Sequence, residues 1–204
     1  RLREAVDFSI YTPGSSAGLP VSILKSFESP APVILNDSDL LRERITVTVT
    51  GMLNLLGIQA DPLQSREHIL ISTILDGAWK NGQSLDLPGL IMAIQSPPVE
   101  KIGIFDLESF FPSKDRFALA MRLNNLLAAP GFQSWLQGEP LDMDGMLYTA
   151  QGKPRVSIFS IAHLNDAERM FFVSLLLTQV VGWMRTQPGT TSLRALLYMD
   201  EIYG

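Results

Sequence analysis

The stretch from Val156 to Met199 leaves this chain few choices of fold. Val156-Ser157-Ile158-Phe159-Ser160-Ile161 is β-rich and reads as a strand. Asn165 stands three residues ahead of Glu168, the spacing of a capping box. The helix they open runs to about Gln187 and is stopped by Pro188-Gly189. Ala195-Leu196-Leu197-Tyr198-Met199 follows as a continuous apolar run, the pattern of a parallel strand covered on both faces. Strand, helix and strand in that order make one βαβ unit, whose crossover is expected to be right-handed. The class this predicts is α/β with a parallel sheet.

The preceding residues divide in two. Phe8-Ser9-Ile10-Tyr11-Thr12 reads as a short strand, and Pro13 to Pro20 breaks it as a loop. Val21 to Leu24 reads as a second short strand, and Ser29-Pro30-Ala31-Pro32 as a linker. From residue 38 the pattern turns helical. Asp37 or Ser38 caps a helix with Leu41, Ile45, Val49, Met52 and Leu56 on one stripe, closed at Gly57. Its run Ile45 to Thr50 is β-branched, and the stripe on both sides decides for helix. Further helices are expected over 62–80, with Asp61 as cap, over 87–95, and over 113–128. The expected architecture is α/β and mostly helical. Residues 1–36 and 151–204 belong to a partial parallel sheet, and 37–150 form a large all-helical insertion or lid.

Composition narrows the function. Hydrophobic residues make up 46% of the 204 and charged residues 18%, so the chain can bury a core. The net charge of −5 argues against a surface coated in basic residues, although a local basic groove stays open. With no cysteine there is no disulfide, thiolate metal site or cysteine nucleophile. The two histidines, His68 and His163, are far apart in sequence, which disfavours a histidine-rich zinc site. The apolar run Met170 to Met184 is too short to span a membrane and is broken by Ser174, Thr178, Gln179 and Gly182. No membrane association is expected, and the expected compartment is the cytoplasm.

The strongest chemical pattern is Leu196-Leu197-Tyr198-Met199-Asp200-Glu201. Four apolar residues followed by Asp-Glu is the Walker B pattern of P-loop ATPases. The strand anchors the backbone in a sheet, and the carboxylates emerge at its C-terminal end, where open α/β sheets bind ligands. There the first carboxylate suits Mg²⁺ and the second suits the water that attacks a γ-phosphate. The competing reading is a solvated turn after a core strand. The phosphate loop that should accompany the pattern is missing. Gly14-Ser15-Ser16-Ala17-Gly18 lacks the following Lys and opens no helix, so it reads as a turn. The chain starts at Arg1 without Met or signal peptide and stops at Gly204, just past the acidic pair. It therefore reads as a piece of a longer protein.

Five stretches together resemble bacterial ATP-binding proteins of the HerA/FtsK superfamily, in the poorly characterised branch with a HerA-like central domain. They are Ile10 to Pro20, Ser65 to Leu70, Phe105 to Pro112, Val156 to Leu164 and Arg194 to Gly204. The resemblance extends over essentially the whole chain. It implies a P-loop, RecA-like core whose Walker A loop lies upstream and whose sensor strand lies downstream. It implies Asp200 as the Mg²⁺-associated carboxylate and Glu201 as the catalytic glutamate. It also implies ATP and Mg²⁺ as cofactors of the intact protein, a hexameric ring, and motor work on double-stranded DNA. The piece alone is then expected to bind ATP poorly and to be inactive.

Other residues have plainer readings. His163 could face the nucleotide edge of the sheet, but a backbone-bonded residue at the start of a helix is favoured. His68, beside Arg66 and Glu67, is expected on the surface or at an interface. Asp106 and Glu108 could do acid–base work, and an acid-decorated helix N-terminus is the commoner meaning. Asp142 and Asp144 lack the rest of a calcium loop. Arg42, Arg44, Arg66 and Arg116 could line a groove or reach a neighbour's phosphate. The alternative function is a helical protein-interaction module built on 38–150. A metal-dependent hydrolase lacks a coherent ligand set.

Overall fold

A computed structural model describes residues 5–23 and 27–200. In chain order, strand β1 (Asp7–Tyr11) and strand β2 (Val21–Ser22) lead into helices α1 (Pro32–Leu35), α2 (Ser38–Leu55), α3 (Arg66–Lys80) and α4 (Leu87–Gln95). A hairpin of β3 (Lys101–Ile102) and β4 (Phe105–Asp106) precedes α5 (Leu107–Phe110) and α6 (Ser113–Ala128). A 3-10 helix (Pro130–Trp135), β5 (Glu139–Pro140), α7 (Met143–Leu147), β6 (Arg155–Phe159) and α8 (Asp166–Thr186) complete the order. The protein is mixed α/β, about half of it helical, and its parallel strands come in short pairs.

The first and last thirds of the chain meet in the parallel pair β1–β6, with Asp7 opposite Arg155 and Tyr11 opposite Phe159. Alternation puts Ser9 and Tyr11 on a buried face. Phe8, Ile10, Val156 and Ile158 line the other, exposed face. Helix α2 forms despite its β-branched run. Asp37 caps it by accepting from the Asp39 and Leu40 amides, and Leu41, Ile45, Val49 and Met52 are buried along one stripe. Tertiary burial here outweighs the local preference for a strand, which is worth only tenths of a kcal/mol per residue, roughly. Gly57 ends α2 at φ 67°, as expected of a left-handed stop.

Helix α8 packs antiparallel on α2. Phe171 near its start lies against Gly51 near the end of α2, and Gly182 near its end lies against Ile34, just before α2 begins. A Cβ on Gly51 would stand 2.8 Å from the Phe171 ring, so glycine is what lets the two helices close. The buried side chains form one cluster, from Tyr11 and Val21 through α2, α3, α4 and α6 to Phe171 and Leu176. Trp135 sits inside it, edge-on to Phe171 at 6.0 Å.

Three expectations change. Helix α3 starts at Arg66, not at residue 62, because Asp61 spends its side chain on a turn, accepting from the Leu63 and Gln64 amides. The block 37–150 is not all-helical: it contains the β3–β4 hairpin and β5, which pairs in parallel with β2. Residues 195–199 form no strand. They are irregular, with Leu196 80% and Tyr198 78% exposed. An apolar run becomes a strand only against a partner's backbone groups, and among the described residues β1 and β6 pair as strands only with each other. The Leu24 end of the second expected strand lies outside the described residues.

The β2–β5 junction depends on a glycine. Gly138 has φ 100°, and a Cβ there would stand 2.1 Å from the Pro20 carbonyl oxygen. We expect Gly138→Ala to cost about 2–4 kcal/mol, from backbone strain plus the forced separation of the strands. Urea unfolding of the variant beside the parent measures it, and an unchanged midpoint would refute the role of this contact.

Candidate functional site

The most plausible place for chemistry in a parallel sheet is the edge where the strands end. At that edge the loop after β1 and the loop after β6 lie side by side. Thr12 closes the first loop on itself: its hydroxyl donates to the Ser15 carbonyl at 3.1 Å and accepts the Gly18 amide at 2.9 Å. The Thr12 amide bonds to the Leu19 carbonyl at 2.9 Å. The loop is thus a self-satisfied turn and not a phosphate cradle, as its composition suggested. His163, from the second loop, donates through Nε2 to the Pro13 carbonyl at 2.8 Å and ties the two loops together. Its role here is the backbone-bonded one. Immediately after it, Asn165 and Glu168 form the capping box expected from their spacing, and α8 leaves from this edge.

Asp200 is exposed and lies on the irregular segment that follows α8. Glu201 lies outside the described residues. No group of three or more His, Asp or Glu able to hold a metal occurs among the described residues. Asp200 thus offers a cation one accessible carboxylate. That donor set suits Mg²⁺ held mainly by phosphate and water, and does not suit a metal held by protein ligands alone.

Two other acidic candidates, Asp106 and Glu108, satisfy amides at helix starts. Asp106 accepts from the Ser109 amide at 2.9 Å and opens α5. Glu108 accepts the Ser113 amide at 2.9 Å, also bonds the Ser113 hydroxyl, and faces Arg116 at 3.3 Å. The Ser109 and Ser113 bonds hold both carboxyls below their usual range. Asp144 accepts from the Trp183 indole at 2.8 Å, docking α7 on α8.

The four arginines do not converge on one site. Arg42 pairs with Asp39 on the surface. Arg66 stacks over the Phe111 ring at 4.9 Å and meets Asp115 at 3.5 Å. Arg116 is buried and donates to the Phe111 carbonyl. Arg44 is buried between helices, and that burial pulls its pKa down to about 10.

His68 is a correction. It was expected at a surface or interface and is instead 1% exposed, between α2 and α3. Its Nε2 meets the Thr50 hydroxyl and its Nδ1 the Ser72 hydroxyl, each at 3.1 Å. Ser72 is four residues on in the same helix, but Thr50 comes from α2, far away in sequence.

Sequence reasoning missed one polar cluster entirely. Arg155 donates to Asp7 at 3.0 Å, to the Tyr11 hydroxyl at 3.1 Å, to Glu139 at 3.3 Å and to the Gly145 carbonyl at 2.8 Å. Tyr11 in turn donates to Glu139 at 2.7 Å. Burial, and then the Glu139 carboxylate, push the Tyr11 phenol above its usual range. These partners come from β1, β5, α7 and β6, so no local spacing announces them. The cluster is mutually satisfied and reads as a clamp on the sheet.

Comparison with protein-family models, curated proteins and solved structures yields no match. No helix among the described residues is long and apolar enough to cross a membrane.

Burial lowers the His68 pKa below the usual 6.5. Above that value the ring is neutral whether the chain is folded or not. Below it the unfolded chain takes up the proton first, so stability falls as pH drops from 6.5 through the depressed folded value. We expect the melting temperature to fall between about pH 7.5 and pH 5, and to fall less in His68→Gln. Equal falls in both proteins would show that His68 contributes nothing to the acid sensitivity.

Proposed function

We propose that this chain is part of a P-loop ATPase of the HerA/FtsK type, in which hydrolysis of Mg-ATP drives movement on double-stranded DNA. The observation that carries the reading is the order of elements around one sheet edge. Strands β1 and β6 run parallel, and their following loops are joined by the His163–Pro13 bond. Helix α8 leaves from that edge. A returning strand at Ala195–Met199 would run parallel to β6 and deliver Asp200 and Glu201 to the same edge. The reading requires that segment to join the sheet and a phosphate loop from elsewhere in the polypeptide. A hexameric ring follows by analogy with the superfamily.

In this reading Asp200 would hold Mg²⁺ through water, and the bound ion would supply positive charge beside the phosphates. Glu201 orients the attacking water and accepts its proton. The chain's other contribution is positional. The Arg155 clamp keeps β1 and β6 in register, and the capping box sets where α8 starts.

A second reading has its own support. The β3–β4 hairpin carries Ile104 at 88% and Phe105 at 58% exposure, a pair of apolar side chains standing out from the helical block. A helical protein-interaction module with weak or no ATPase activity would use such a surface. Hydrogen exchange separates the two readings. ATP-dependent protection near Asp200 supports the motor, and partner-dependent protection confined to the helical block supports the module.

The direct test is ATP hydrolysis by the full-length protein, with and without double-stranded DNA, beside Glu201→Gln. We expect DNA to raise the rate and the substitution to lower it by about a hundredfold or more. A variant that hydrolyses ATP normally would overturn the role of Glu201.

A further inference from the structure

We propose that two copies of this chain pair through the outer face of α8, antiparallel, about a twofold axis at Leu177. From Met170 to Met184 the helix carries no charged residue. Its inner face is spent on the core, where Phe171, Phe172, Leu175 and Leu176 are buried. A surface helix turns a charged face to water, and a helix that is apolar all round is normally covered all round. Here the outer face is open. Met170 is 59% and Met184 60% exposed, Leu177 and Val181 are also exposed, and Val173 is half-buried.

The order of these side chains points to a second copy as the occupant. Met170, Val173, Leu177, Val181 and Met184 read the same from either end, in residue type and in spacing. At 3.6 residues per turn they all fall within about 80° of the helix surface. A twofold axis at Leu177 therefore sets Leu177 on its own copy, Val173 on Val181 and Met170 on Met184. Spacings of three and four residues are those at which packed helices mesh their side chains. Charge agrees with this direction. Antiparallel pairing brings the basic last turn, Arg185, toward the acidic first turn, Asp166, of the other copy, and it opposes the helix dipoles. Parallel pairing would set like ends together. The groove beside the stripe, about 250 Å³, is lined by Leu40 and Val47 of α2 and by Leu177 and Val181, and it gives the other copy's side chains a seat. The stripe is about 21 Å long and a helix about 10 Å wide. That is smaller than a standard interface of ~800 Å² per partner, so the dimer is expected to be weak, with a dissociation constant of about 1–100 μM. The inference does not rest on ATP chemistry. A twofold contact matches a surface with itself, whereas the contacts of a ring run head to tail.

Single cysteines in the full-length protein, cleared of any other cysteine, test it; these 204 residues contain none. The protein is treated with a short bis-maleimide at a concentration above that dissociation constant. We expect Leu177→Cys to cross-link to itself and run mainly as a dimer on a denaturing gel. Met170→Cys alone and Met184→Cys alone should give at least about tenfold less product, because each thiol would stand about 21 Å from its own copy. Mixing those two proteins should restore the product. Val181→Glu, added to the Leu177→Cys protein, should cut the product by about tenfold or more. An absence of Leu177→Cys product overturns the proposal, whether the face is bare or covered by another segment, another protein or a lipid surface. Met170→Cys cross-linking to itself as readily as Leu177→Cys overturns the antiparallel twofold. Product that Val181→Glu leaves unchanged marks random collision and overturns it too. Should Val181→Glu not fold, the mixing pattern of Met170→Cys with Met184→Cys still decides.

Discussion

Phe171 against Gly51 is the contact on which the rest of the molecule depends. It brings α8, from the last third of the chain, onto α2 from the first, and it places Phe171 and Phe172 beside Trp135. Phe172 also meets Phe159 of β6 at 5.4 Å, and Phe159 stacks on Tyr11 of β1. One aromatic chain therefore runs from the helix pair to the sheet. Each buried aromatic of this kind is worth about 3–5 kcal/mol on truncation, so a side chain larger than glycine at position 51 would disturb several elements at once.

The polar counterpart of that chain is the Arg155 clamp. A two-stranded parallel sheet is weak by itself, because each strand has one partner and one face open to solvent. Here one guanidinium ties the first strand, the last strand and the β5–α7 segment. The apolar outer face of the pair, Phe8, Ile10, Val156 and Ile158, carries no such support and stays exposed. The buried helix packing and the open sheet edge are thus opposite ends of one structure. The helical side is packed, and the outer face of the strand pair is open.

Local signals were most legible where they are chemically self-contained. The Asn165–Glu168 capping box, the Asp37 cap and the glycine stop at Gly57 all involve neighbours within a turn, and the structure has each of them. Asp106 and Glu108 turned out to be caps for the same reason. The signal misled where one residue had two local options. Asp61 could cap a helix or close a turn, and the turn won. The apolar run at 195–199 is the opposite case, since a strand is never self-contained and its pattern says nothing about whether a partner edge is present.

By itself the sequence determined most of the helices of the middle block and the acidic pair at the end of an apolar run. These follow from periodicity and from bonds between near neighbours, which a linear string records. Only the tertiary structure decided that His68 is buried, that Arg155 gathers four partners, and that Arg44 lines a groove with Arg185. Those facts depend on residues far apart in the chain, brought together because burying apolar surface outweighs the entropy of closing the long loops between them.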